Sequence, residues 1–425
     1  MENRNYREFY WKRLDNAAKG FSAISDKNNT NVFRLSVKLK QPVEPSALQE
    51  AVERTLSEIP SFNVKQHKGL FWHYFESNFS KPIVQEEKTF PCLRIDRSAN
   101  NGFLFRTSYF GSKINLEVFH ALTDGTGALM FLKRLLYNYL SLLHPEETLS
   151  ECAVFDSTCH PNEYDEDSFL KNYSCAQDKE GHTAQPAYRL RGPRLEKKVT
   201  RVLTGVMPVK QVSARAKAFG ATITEYLSAV LLRSIYLGSN ASGKKDRPVV
   251  LCIPVNLRSF YPSHTLSNFF SYLNIGVRFE KELSFEQVLE QVHAEFERQL
   301  RREEIEPKLR YNVEAESNLA IRFIPLALKK LGLKLIHRRG ERGQSCALSN
   351  LGIVDLPEDL RPFVERFDVL VSISSLKPLK AGVISFGGKM SFSFTSALVS
   401  TDIQQYFFSF LSQEGIEVEI VSNYI

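Results

Sequence analysis

The chain has 425 residues, 43% hydrophobic and 24% charged, ordinary proportions for a globular protein of two or three domains. No run approaches the roughly 20 apolar residues that span a bilayer, and the N-terminus is polar, so a protein residing in the cytoplasm is expected. The net charge of +7 is modest and not gathered into a tail; without aromatic-interleaved basic repeats it argues against nucleic acid and suits an acidic small ligand, such as a phosphate-bearing cofactor.

Residues 31–39 alternate Phe33, Leu35, Val37 and Leu39 with polar neighbours, the period-two signature of a half-buried strand. Residues 45–56 then place Leu48, Ala51, Val52 and Leu56 on one helical face, with Pro45 in the permitted first turn. A strand followed by an amphipathic helix points to α/β layering. The stretch 156–195 is polar and without sustained period, which reads as a connection between lobes. Within it, Cys159, His160, Cys175 and His182 lack the paired spacing that holds structural zinc, and no metal is expected; the six scattered cysteines read as reduced thiols.

The second half restarts the alternation. A strand over 198–208 is followed by a helix stopped by Gly220, then by a helix opened by a capping box of Thr222 and Glu225, then by a buried strand over 247–258. "GSNASGKK", 238–245, matches part of a phosphate-binding loop, but a helix precedes it, a strand follows and Lys245 stands where a hydroxyl is needed, so it reads as a surface turn. Residues 320–340 are basic and strongly apolar. They form either a helix that packs its apolar face on its own protein or one that lies in a membrane interface, with Lys329, Lys330, Lys334, Arg338 and Arg339 toward anionic lipid. Lys329, Lys330, Arg338, Arg339 and Arg342 are also candidates for cofactor phosphates, or else a solvated charged face. Gly387 and Gly388 read as a hairpin turn between alternating strands.

The stretch "EVFHALTDGTGALMF", 117–131, carries the chemistry. Alternation places Ile114, Leu116, Val118 and His120 on one strand face; after the turn Asp124 is a good helix N-cap, and Leu129, Leu132, Leu136, Tyr139, Leu140 and Leu143 mark a buried helical face. A His-x-x-x-Asp-Gly match is expected by chance about 0.01 times in a chain of this composition. His120 is either a hydrogen-bonded core histidine or a general base. The positive end of the helix disfavours imidazolium there and keeps the base form. Such a base could take a proton from a hydroxyl, whose alkoxide attacks a thioester with no covalent enzyme intermediate. Asp124 either caps the helix or pairs with an arginine that holds the loop; both roles are architectural.

"HALTDG" (His120 to Gly125) resembles the signature of the chloramphenicol-acetyltransferase-like superfamily, which includes condensation domains, plant acyltransferases, wax ester synthases and alcohol acetyltransferases. "PVNLR" (Pro254 to Arg258), "SNFF" (Ser267 to Phe270) and "SNLG" (Ser349 to Gly352) are similar in order and context to segments of the bacterial wax-ester-synthase and alcohol-acetyltransferase relatives. Two departures narrow the resemblance: the plant enzymes' Asp-Phe-Gly-Trp-Gly is replaced by "SFGGK", and Phe119 stands where condensation domains carry a second histidine. A stand-alone acyltransferase fits best.

The resemblance implies an α/β (α+β) protein of two similar lobes, each a mixed sheet with flanking helices, spanning 1–185 and 196–425, with an active-site tunnel between them. It implies His120 as base, Asp124 and Gly125 as support, Arg258 as the partner of Asp124, and Ser349 and Asn350 as tunnel or oxyanion residues. The donor would be acyl-CoA or an acyl-pantetheine, no cofactor would be held permanently, and the acceptor would be an alcohol or amine. An acyl carrier protein as donor, and a non-catalytic acyl-binding module of the same fold, are the other readings.

Overall fold

The computed structural model describes residues 11–152, 164–173, 185–239, 247–317 and 323–423. The chain opens with β1 (Trp11–Arg13), α1 (Asn16–Ile24), β2 (Val32–Leu39), α2 (Pro45–Glu58), β3 (Val64–Lys68) and β4 (His73–Ser77). It continues with β5 (Val84–Glu86), β6 (Phe105–Phe110), β7 (Lys113–Phe119), α3 (Gly125–Leu143) and the short α4 (Ser168–Lys171). The later half contributes β8 (Arg201–Pro208), α5 (Val209–Ala218), α6 (Ile223–Gly238), β9 (Val249–Asn256), β10 (Phe270–Val277) and α7 (Phe285–Gln299). It ends with α8 (Arg302–Ser317), α9 (Leu326–Arg342), β11 (Cys346–Ile353), β12 (Val364–Val371), β13 (Leu379–Phe386), β14 (Lys389–Ser396), α10 (Asp402–Gln413) and β15 (Glu419–Ser422).

Two mixed sheets carry the architecture, five strands in the order β12-β2-β7-β6-β5 and seven in the order β10-β9-β11-β13-β14-β8-β15; β1, β4 and β3 form a small third sheet. Each large sheet buries one face against helices, α2 and α3 on the first, α6, α7 and α10 on the second. The local signals act as read. Leu48, Ala51, Val52 and Leu56 are buried on α2, and Thr222 and Glu225 complete the capping box of α6. Gly387 and Gly388, with φ of 56° and 81°, turn β13 into β14.

Three features differ from the sequence reading. The strand expected to be half-buried, β2, is buried on both faces. Its polar side chains meet partners directly opposite on β7: Arg34 bonds Glu117 at 3.1 Å and Ser36 bonds Asn115 at 2.7 Å, so the polar face leaves water with its groups paired. Next, β12 lies within the stretch expected to form the second lobe, yet it pairs antiparallel with β2, Val369 opposite Leu35, and joins the first sheet as an edge strand. Finally, the connection 156–195 is tied down where it is described: Tyr164, Ala187, Tyr188 and Leu190 are buried, and Leu266 donates its N–H to the Tyr164 carbonyl at 2.8 Å. Cys159, His160, Cys175 and His182 lie outside the described residues, as do residues 240–246 of the glycine-rich turn.

Candidate active site at the junction of the two sheets

His120 follows the last residue of β7, and its N–H donates to the Asn31 carbonyl at 2.8 Å, which sets the ring at the strand end. The ring packs among Phe21 (stacked, centroids 4.3 Å apart), Phe33 (4.9 Å) and Phe270 (5.5 Å), from α1, β2 and β10. Burial among these rings is the main cause that pushes its pKa below the ordinary histidine value. Asp124, a bond to its own main-chain carbonyl and Asn268 oppose the shift; the Lys380 ammonium adds to it. The direction is the one expected from the sequence, but desolvation is the larger cause.

The tautomer follows from a chain of hydrogen bonds. Asp15, 4% exposed, caps α1 by accepting from Ala18 N at 2.7 Å. Its second oxygen accepts from Asn268 N (3.2 Å) and Asn268 Nδ2 (3.1 Å). With its amide nitrogen committed to the carboxylate, Asn268 presents Oδ1 to His120 Nδ1 at 3.1 Å. An oxygen there accepts a proton, so Nδ1 carries the hydrogen and Nε2 keeps its lone pair. Burial raises the Asp15 carboxyl to about 6, since no cation faces it among the described residues.

Asp124 does both jobs that the sequence allowed. Its Oδ1 accepts from Thr126 N and Gly127 N, both at 3.1 Å, capping α3. Its Oδ2 accepts from Arg258 Nη1 at 2.7 Å and from Phe269 N at 2.9 Å. Arg258 also donates to the carbonyls of Thr265 (2.8 Å) and Ser267 (2.8 Å) and to Asn256 Oδ1 (3.2 Å), and Thr123 Oγ1 donates to the Leu266 carbonyl at 2.5 Å. Residues 265–269 are thus the node on which the His120 loop, the start of α3 and the start of α1 converge. Gly125 leaves the space that Leu351 of β11 fills, since a Cβ there would lie 2.6 Å from Leu351 Cδ2.

The two residues of "SNLG" part company. Leu348 is buried in the helix-covered core, so Ser349 points to the opposite face of β11, the face from which Leu351 reaches Gly125. Asn350 points back toward the helices, donating to Thr224 Oγ1 at 3.0 Å and accepting from Gly352 N at 2.9 Å. Each end of that amide thus has one partner within the fold.

Lys380 was not singled out by sequence. It alternates with the core residues Leu379 and Ala381 and so faces away from the helices, and burial lowers its ammonium to about 8. Asp15 and Asn268 were missed as well. Asp15 stands just before "NAAKGF", an N-cap signal, but nothing in sequence joins it to a residue 253 positions later.

No family model matches the chain, and no curated protein matches it. Solved structures do. Trichothecene 15-O-acetyltransferase from Fusarium sporotrichioides superposes with a TM-score of 0.62 at 12% identity, covering 96% of this chain and 94% of that one. The first condensation domain of the CDA synthetase gives 0.60 at 14%, over 95% and 96%. A double mutant of the starter condensation domain of rhizomide synthetase, in complex with C8-CoA and Leu-SNAC, gives 0.58 at 14%, over 95% and 93%. The chain therefore shares the fold of these acetyltransferase and condensation-domain structures over nearly its whole length.

Proposed function

We propose that this protein is an acyltransferase that moves an acyl group from a thioester, acyl-CoA, to a hydroxyl or amine, with His120 as general base. The observation that carries the reading is the Asp15–Asn268–His120 chain, which leaves Nε2 as a free acceptor. A core histidine needs only satisfied nitrogens; this one has one ring nitrogen bound and the other unspent among the described residues, beside apolar rings that suit an acyl chain.

In the reaction, Nε2 takes the proton of the acceptor's O–H or N–H as its heteroatom attacks the thioester carbonyl. The tetrahedral intermediate expels the thiolate, which recovers the proton from His120, so no acyl-enzyme forms. The Ser349 hydroxyl, on the face that meets the motif, is the candidate donor to the oxyanion. Arg258, Asp124 and Gly125 hold the loop, and burial favours the neutral His120, with a small further contribution from the Lys380 ammonium. The C8-CoA complex of one structural neighbour favours coenzyme A as the donor's carrier.

The test is thiol release from acyl-CoAs of increasing length with pooled alcohols and amines. His120→Ala is expected to lower acceptor-dependent release by about 10²–10⁴-fold while the thermal midpoint holds. Retained turnover removes the base, and thioester binding without turnover in the wild type makes the protein an acyl-binding module. The condensation-domain neighbours support a second reading, in which an acyl carrier protein presents the donor. Release only from phosphopantetheinylated carriers would establish it.

A further inference from the structure

Helix α9 is turned inside out. At a spacing of three and four residues its solvent face carries Leu328 (62% exposed), Leu331 (62%), Leu335 (56%) and Ile336 (58%). Phe323, 70% exposed, precedes the helix, and Leu70, 73% exposed, joins the same end, where its carbonyl accepts from Leu326 N at 3.0 Å. Beside Leu326, the residues that the helix buries are charged. Lys329 is buried, with Nζ 3.8 Å from the Trp72 ring centroid and 3.2 Å from the Phe71 carbonyl; Glu341 is buried against Lys377 (3.3 Å) and Ser374 (3.0 Å). Rolling the helix to bury its leucines would break that buried ion pair, so the leucines are held in water by the fold. A contiguous apolar face of this kind marks an interaction surface.

The surroundings say what covers it. Arg338 and Arg342 continue the leucine stripe and Arg339 flanks it; all three are exposed, and none pairs with a carboxylate among the described residues. The segment before β8 brings more charge alongside: Ala187 N donates to the Arg342 carbonyl at 2.9 Å, and Arg189 lies close enough to Arg191, Arg194, Arg338 and Arg342 to feel their charge. A depression of about 460 Å³ is lined by Gly332, Leu335, Ile336, Arg338, Arg339 and Arg342, apolar and cationic residues together. A second copy of the chain would bring the same arginines against each other. An anionic bilayer offers acyl chains to the leucines and a plane of phosphates to the arginines.

We propose that α9 is a membrane-docking helix that lies in the interface of anionic bilayers, leucines in the acyl region and arginines at the phosphates. No helix among the described residues is long and apolar enough to cross a membrane, so the proposal is docking at the surface. The helix leans on α1, whose Phe21 stacks on His120.

Flotation of the full chain with phosphatidylcholine vesicles, with and without phosphatidylglycerol, tests the proposal. Binding is expected only to vesicles containing phosphatidylglycerol and is expected to weaken with salt. The pair Leu331→Asn and Leu335→Asn should keep the thermal midpoint and fall to the level of neutral vesicles; Arg338→Gln with Arg342→Gln should keep the fold and lose the lipid selectivity. Absence of wild-type binding, equal binding of the leucine variant, or a wild-type dimer that the leucine variant dissolves would each overturn it. None of these outcomes depends on acyl transfer.

Discussion

Asp15 and Asp124 occupy matching places. Each is a buried N-cap, of α1 and α3, and each sends its second oxygen to the segment 265–269. They differ in what faces them. Asp124 meets the Arg258 guanidinium and becomes the anchor of a clamp across the two sheets; Asp15 has amide donors and the like charge of Asp167 instead, so burial dominates and its carboxyl rises to about 6. One cation separates an aspartate that holds the site together from one that sets a proton's position.

The largest expected effect is on the clamp. Arg258→Ala leaves a buried carboxylate unpaired and frees the carbonyls of Thr265 and Ser267; the expected loss is about 3–5 kcal/mol in urea unfolding. A loss near that of an exposed ion pair would mean Asp124 is held by its backbone donors alone. Asp15→Asn should behave differently. Asparagine still caps α1 but offers a donor to Asn268, whose amide must then flip and present Nδ2 to His120. The proton moves to Nε2, and kcat should fall roughly a hundredfold, while the Asn268 main-chain N–H, which loses its acceptor, costs about 1–3 kcal/mol of stability. Unchanged kcat would remove the relay.

pH acts on Asp15 and on His120 with opposite signs. The folded Asp15 carboxyl holds its proton from the unfolded value of 3.8 up to about 6, so it contributes stability below 3.8 that is lost as pH rises through 6. His120 has the opposite sign: its folded pKa lies below 6.5, and the stability it allows at neutral pH declines as pH falls through 6.5. For catalysis both act together, and the acid limb of kcat/KM should lie below 6.5; a limb above it would contradict the burial of the base. The smallest effect is electrostatic at a distance. Lys380→Met removes a charge that disfavours imidazolium and should move that limb upward by less than about one unit.

Much of this was legible in the chain. The motif at His120 and Asp124, the pairing with Arg258, the capping box at Thr222 and the turn at Gly387 each rest on a short-range rule or a resemblance carried by contiguous residues. Ser349 and Asn350 were read as one pair, although neighbours on a strand point to opposite faces, and only the pairing of β11 shows which face meets the motif. The hydrophobic stripe of α9 was legible as well, but not that Leu328, Leu331, Leu335 and Ile336 would be exposed instead of packed on the protein's own core. The buried partners of Lys329 and Glu341 lie in Phe71 and Lys377, far away in sequence.

The sequence by itself determined the elements, the histidine and the arginine, because periodicity, caps and a compact motif act over a few residues. The tertiary structure decided which proton His120 carries, which sheet receives β12 and which face of α9 meets water. Each of those depends on contacts between distant segments, such as Asp15 with Asn268, whose net worth is set by burial and by the partner opposite, and neither is written in the local pattern.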